Sequence, residues 1–211
     1  MLIGRDTSFL LIVDMQERLV PAVEHHDRVV TNAARLMTGA ARLEVPVLLT
    51  EHYPKGIGPV VPALRERAPT NSVLEKIQFC ALSEPACAKR FAALRRQQVV
   101  VAGTEAHVCV LQTALGLKQA GYEPYLVVDA VSSRRASDKE TAITRLRDAS
   151  VSAVTTEMVL FEWLARGDTA EFRDLLPLIK SERVGSKNSN LLSDPDFTTE
   201  MLADQRAARP V

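Results

Sequence analysis

A three-layer α/β fold, with helices on both faces of a doubly wound and mostly parallel six-stranded sheet, is the fold class this sequence predicts. Three observations carry the prediction. Short apolar runs recur and close on an acid, as in SFLLIVD at 8–14 and VPVLLTE at 45–51. Helical periodicities lie between those runs. The 211-residue chain is 46% hydrophobic and 25% charged, an ordinary globular balance at a length able to bury a large core, which removes disordered, collagen-like and disulfide-scaffold classes. A continuously apolar strand needs cover on both faces. Alternation with helices supplies that cover through right-handed crossovers between parallel strands.

Strands are expected at 8–14, 45–51, 97–105, 123–130 and 150–157, with the less regular SVLEKIQFCAL at 72–82 as the sixth. Helices are expected over 28–43, 84–95, 107–120 and 138–149, the third stopped by Gly121 just past its end. Residues 162–180 carry one or two further helices. In HYPKGIGPVVP, Pro54, Gly56, Gly58, Pro59 and Pro62 punctuate the segment after the second strand, which reads as a rigid loop walling a pocket. The domain is expected to span residues 1–180. Residues 181–211 lose apolar periodicity and are expected to form a polar tail, extended or partly disordered, packed on a neighbouring subunit or lying outside the core.

Charge and cysteine content narrow the function. Lys plus Arg and Asp plus Glu each number 26, so no net field gathers a phosphate backbone or an anionic lipid surface, and neither nucleic acid nor membrane is expected as a partner. Three cysteines, an odd number at low density, argue for a reducing compartment, and the cytoplasm is the expected location. The apolar run from Phe9 to Val13 is too short for a signal peptide or a bilayer span. No G-x-G-x-x-G or G-x-x-x-x-G-K-[ST] opens a helix after a strand, which argues against dinucleotide and ATP chemistry.

In doubly wound sheets ligands sit outside the carboxyl ends of the strands, so the strand-closing acids Asp14, Glu51, Glu105 and Asp129 are the first places to look. Cys109, in VVVAGTEAHVCVLQTALGL, falls near the start of the helix after such a strand, where amide N–H groups and the helix dipole favour the nucleophilic thiolate. Taken alone it also fits a buried structural thiol. Asp14 fits a cap for the next segment equally well, and Lys76 fits a side chain turned out to water.

Together these three say more. Asp14 in IVDMQ, Lys76 in EKIQFCAL and Cys109 in GTEAHVCV resemble, in order and spacing, the Asp-Lys-Cys triad of the isochorismatase-like cysteine hydrolase superfamily. EHYPKGIGPVVPAL and GTEAHVCVLQTALGL resemble its isochorismatase domain-containing branch, and the likeness runs from about residue 8 to about residue 180. It implies an isochorismatase-like fold hydrolysing an amide or related bond of a small molecule through a thioester-type intermediate. Cys109 would attack, Asp14 would take the thiol proton and return it to the leaving group, and Lys76 would stabilise the charges. The resemblance also implies a non-proline cis peptide at Thr104–Glu105, aiming the Glu105 N–H at a developing oxyanion beside that of Cys109.

Nicotinamidases of the superfamily hold a metal through an Asp and two His after the second strand. Here His52 stands almost alone in that loop, and His25 and His26 are adjacent and so point apart, so neither a metal nor a cofactor is expected. Cys80 and Cys87 read as structural. Gln16, Tyr53, Phe79 and His107 are candidate pocket walls, and Trp163 reads as a core or interface residue. Members of the superfamily generally associate, which implies a homo-oligomer, a dimer or a tetramer. The alternative is an oligomeric interaction protein that keeps the fold with a vestigial triad.

Overall fold

A computed structural model describes residues 1–180; the expected polar tail lies outside the described residues. Six strands form one all-parallel sheet, β1 (Ser8–Val13), β2 (Val47–His52), β3 (Val73–Lys76), β4 (Gln98–Thr104), β5 (Glu123–Ser132) and β6 (Ser152–Val154), in the order β3-β2-β1-β4-β5-β6. The order reverses between β1 and β4, which are in register from Ser8↔Gln98 to Val13↔Gly103. Every residue of both strands is buried. This central pair therefore opens the crevice in which such sheets hold ligands.

The period of two along β1 divides the core. Leu10 and Ile12 pack with α1 (His26–Arg42), α7 (Thr156–Leu164) and α8 (Ala170–Lys180) through Leu36, Met37, Leu160, Trp163 and Leu175. Phe9, Leu11 and Val13 pack on the other face with α4 (Pro85–Ala93), α5 (Leu111–Gln119) and α6 (Ala136–Asp148) through Phe91, Leu117 and Leu146. Trp163 is a core residue, its indole N–H donating to the buried Ser8 Oγ at 2.9 Å. Three layers result, as the strand and helix alternation predicts.

Several boundaries differ from expectation for local reasons. The last strand stops at Val154, not at 157, because Thr155 caps α7 by accepting the Met158 N–H at 3.3 Å. The third strand ends at Lys76, not at 82; the chain then bends and enters the short 3-10 turn Ala81–Ser83, whose first N–H bonds Thr113 Oγ1 at 3.0 Å. In the segment expected as loop, prolines open two one-turn helices, α2 (Pro54–Ile57) and α3 (Pro62–Arg65). The helix expected from 107 begins instead as a π turn, Ala106–Val110, that leads into α5.

Helix ends explain why such boundaries are hard to read. After α5, Gly121 has φ +87°, and the Tyr122 N–H reaches back to the Leu117 carbonyl at 3.0 Å. Glu44 after α1 and Ser150 after α6 take the same left-handed conformation, with Val45 bonded to Ala40 and Val151 to Leu146. Only the first stop announces itself as glycine.

Gly103 is constrained differently. At φ +126° it passes so close to β1 that an added Cβ would lie 2.0 Å from the Val13 carbonyl oxygen, whereas nothing lies within 4 Å of one at Gly121. Gly103→Ala is therefore expected to cost roughly 2 kcal/mol or more, and Gly121→Ala about 1 kcal/mol. Urea unfolding followed by circular dichroism measures both; equal losses would show that the backbone approach at Gly103 relaxes freely.

Candidate active site

Four neighbouring strands converge on one residue, Asp14. Asp14 follows β1 in the left-handed region, φ +49°, and its N–H bonds the Thr50 carbonyl of β2 at 3.1 Å. Thr50 Oγ1 donates to Asp14 Oδ1 at 2.6 Å, and Thr104 Oγ1 at the end of β4 donates to the Asp14 carbonyl at 2.8 Å. From β3, Lys76 Nζ lies 2.6 Å from Asp14 Oδ2, with neither side chain exposed at all. The bend after β3 supplies two more acceptors to this ammonium, the carbonyls of Gln78 at 3.1 Å and Phe79 at 3.3 Å. Lys76 is thus buried and paired; it does not turn out to water.

Cys109 completes the group from the π turn. The residue is 5% exposed, and its thiol lies close enough to Asp14 and Lys76 for both charges to act on it. Burial first, then the Asp14 charge, push its pKa up to about 12, while Lys76 pulls in the opposite direction. The expectation of a thiolate favoured by a helix start is corrected here. The turn is not the first turn of an α-helix, and desolvation beside a carboxylate outweighs the cation. With a pKa so raised, the thiol beside this ion pair is protonated at neutral pH. Cys87 is fully buried, and burial raises its thiol to about 11; Cys80 packs against Gly116 of α5.

The other strand-closing acids are engaged elsewhere. Glu51 Oε1 accepts from the Val60 N–H at 2.8 Å and Arg65 Nη1 at 3.0 Å, fastening the loop after β2. Glu105 Oε2 accepts from the Arg134 N–H and Nε, and the Thr104–Glu105 peptide is cis. Asp129 lies within β5, not at its end, and Oδ1 receives the Thr156 N–H and hydroxyl at the start of α7.

Of the candidate pocket walls, Tyr53 and Phe79 are about half exposed beside the end of β3. Gln16 is fully buried, and its amide bonds the His52 N–H at 2.7 Å, the His52 carbonyl at 3.0 Å and the Gly58 carbonyl at 2.6 Å. It clasps two backbone segments, so the reading of Gln16 as a pocket wall gives way to a positioning role. His107 turns toward β5 and α6, its Nδ1 2.9 Å from Ser133 Oγ and its Nε2 3.9 Å from Asp138. Sequence reasoning passed over Thr50, although a hydroxyl inside VPVLLTE is an audible signal, and it weighed His52 only as a metal ligand. Among the described residues no three His, Cys, Asp or Glu side chains group as cation ligands would, and no helix is long and apolar enough to cross a membrane.

Comparison with known proteins agrees with this fold. A family model described as the isochorismatase domain matches residues 8–158. The isochorismatase domain-containing protein 2 of Danio rerio is 37% identical over 172 residues, covering 82% of this chain and 86% of that one. Among solved structures, the MAR1 ribonuclease of Caenorhabditis elegans superposes with a TM-score of 0.80 at 30% identity, covering 92% of this chain and 98% of that one. The YcaC gene product of Escherichia coli, described as an octameric hydrolase of unknown specificity, shares the fold with a TM-score of 0.80 at 22% identity over 98% and 97% of the two chains. With one domain model spanning the whole of its sheet and a relative of this identity over four-fifths of its length, the chain belongs to the isochorismatase-like hydrolase family.

Proposed function

We propose that this protein is a metal-independent cysteine hydrolase that cleaves a small amide-bearing substrate through a thioester. The observation that carries the reading is the buried Asp14–Lys76 pair with the Cys109 thiol close enough for both charges to act on it. Cys109 Sγ attacks the carbonyl carbon while its proton passes to Asp14. The tetrahedral oxyanion collapses, the C–N bond breaks, and Asp14 gives the proton to the departing amine. Water then attacks the thioester, again losing its proton to Asp14; the C–S bond breaks and the returning proton restores the thiol, releasing the acid. Lys76 balances the negative charge as it moves between oxygen and sulfur. The zero net charge supports a small molecule over a nucleic acid as substrate.

A second reading, an oligomeric interaction protein with a vestigial triad, draws on the near-complete burial of Cys109 and on the exposed Tyr53, Ile77 and Phe79 at the mouth of the site and Met158 and Phe161 on α7. Homo-oligomeric assembly, as a dimer or tetramer in a cytoplasmic setting, is compatible with either reading. A screen of small amides and esters separates them. Hydrolysis is expected for the wild type and none for Cys109→Ala; activity that survives the substitution would remove the nucleophile, and no hydrolysis of any member would favour the vestigial triad.

The raised thiol pKa sets a pH profile. With a value of about 12, alkylation of Cys109 by iodoacetamide is expected to rise about tenfold per unit from roughly pH 7 to 10 without levelling. Lys76 pulls the pKa down, so Lys76→Met is expected to raise it further and to slow labelling roughly tenfold or more at each pH, with turnover lower by about a hundredfold. Superimposable profiles, read by peptide mapping, would exclude Lys76 from the site.

The same substitution leaves Asp14 buried without its cation. Its expected loss of stability is about 3–5 kcal/mol, and Asp14→Asn combined with Lys76→Met is expected to recover much of that loss. Additive losses in chemical denaturation would mean that the two side chains do not interact.

A further inference from the structure

His52 closes β2 in register with Lys76 of β3, and the Gln16 amide holds both its backbone N–H and its carbonyl. Its ring is therefore set in place by strand and clasp together. The ring stacks on Phe79, centroids 5.1 Å apart and planes 29° from parallel, and the Phe79 carbonyl accepts from Lys76 Nζ. Ring, shelf and ammonium form one unit around the triad. Burial and the Lys76 charge lower the His52 pKa, with Asp14 opposing, so at neutral pH the imidazole is uncharged, with one donor and one acceptor nitrogen.

One of those nitrogens is unmatched. His52 Nδ1 is buried and has no hydrogen-bond partner among the described residues. Buried polar atoms are otherwise almost always bonded, and an orphan costs about 1–3 kcal/mol. The peripheral histidines contrast with it: His107 bonds Ser133, and His26 pairs with Asp27 at 3.1 Å. The orphan belongs to the ring on which the Lys76 and Asp14 charges act. It lies beside the half-exposed Phe79 ring that stacks on it.

We infer that His52 is a specificity-determining residue: when the half-exposed Phe79 ring gives way, its Nδ1 hydrogen-bonds a polar group carried by the substrate beside the carbon that Cys109 attacks. This rests on the hydrolase reading and narrows it. The favoured substrates are small carbonyl compounds with a hydrogen-bonding substituent next to the reacting carbon. An apolar substituent there leaves Nδ1 unsatisfied, which makes the site discriminate by hydrogen bonding and not by size alone.

Two alkylating agents of similar size test this without turnover. Iodoacetamide carries an amide beside its reactive carbon, and allyl iodide carries no hydrogen-bonding atom. His52→Phe keeps an aromatic ring for the stack and removes both nitrogens. It is expected to slow iodoacetamide labelling of Cys109 about tenfold while allyl iodide labelling stays within about twofold; His52→Gln, which restores a donor and an acceptor, should recover most of the selectivity. An unchanged ratio of the two rates overturns the inference, whether both rates fall together or neither moves. So does an unchanged ratio with a raised melting temperature, the mark of an orphan relieved only by packing. Should His52→Phe not fold, His52→Leu gives the same comparison. Failure here is distinct from failure of the hydrolase reading, which shows as hydrolysis that survives Cys109→Ala.

Discussion

An ammonium and a carboxylate 2.6 Å apart, neither exposed to solvent, are the constraint around which the remainder of the site is arranged. Each ion gives up several kcal/mol of hydration on burial, and the pair endures only when further hydrogen bonds satisfy what the partner does not. Here those bonds come from Thr50 to one carboxylate oxygen and from the Gln78 and Phe79 carbonyls to the ammonium. That requirement fixes the backbone. The chain after β3 has to bend for its carbonyls to face Lys76, and β2 has to present a hydroxyl where its neighbours are apolar.

The pair also changes the meaning of a thiol pKa near 12. That value describes loss of a proton to bulk water, which leaves a new charge in a desolvated pocket. Transfer to Asp14 creates no net charge. In the proposed reaction the site would begin with a carboxylate, an ammonium and a thiol and pass to a carboxylic acid, an ammonium and a thiolate. The negative charge would move from oxygen to sulfur with Lys76 beside it. Burial opposes ionisation to solvent far more than this internal exchange, so a cysteine that is inert at rest is compatible with one that becomes nucleophilic when its proton has somewhere to go.

Much of this was legible in the sequence because it depends on periodicity and order. All six strands and their alternation with helices could be read from apolar runs, whereas Asp14, Lys76 and Cys109 each fitted a structural role alone and stood out together only through the resemblance to a family triad. The π turn could not be read, since nothing in AHVC distinguishes it from the start of an α-helix, and that is where the thiolate expectation went astray. Glu44 and Ser150, neither a glycine, stop helices by adopting positive φ under tertiary constraint. The role of Gln16 was equally hidden: a glutamine after a strand-closing acid invites a pocket reading, whereas the three backbone groups it bonds lie far away in sequence. The unmatched nitrogen of His52 is a property of packing, and no spacing rule announces it.

Placement of Lys76 ties stability to chemistry. β3 is an edge strand of four residues, paired on one side only with β2, the kind of element that frays first in a sheet. Its last residue reaches past β2 to the carboxylate after β1, and the Tyr53 N–H fixes the Lys76 carbonyl at 2.9 Å. The side chain that neutralises the site therefore also anchors the strand that carries it. An edge so anchored cannot drift without weakening the ion pair, and loss of Lys76 alone strands a buried carboxylate, so in the proposed hydrolase both the chemistry and the closed edge of the sheet would rest on the same residue.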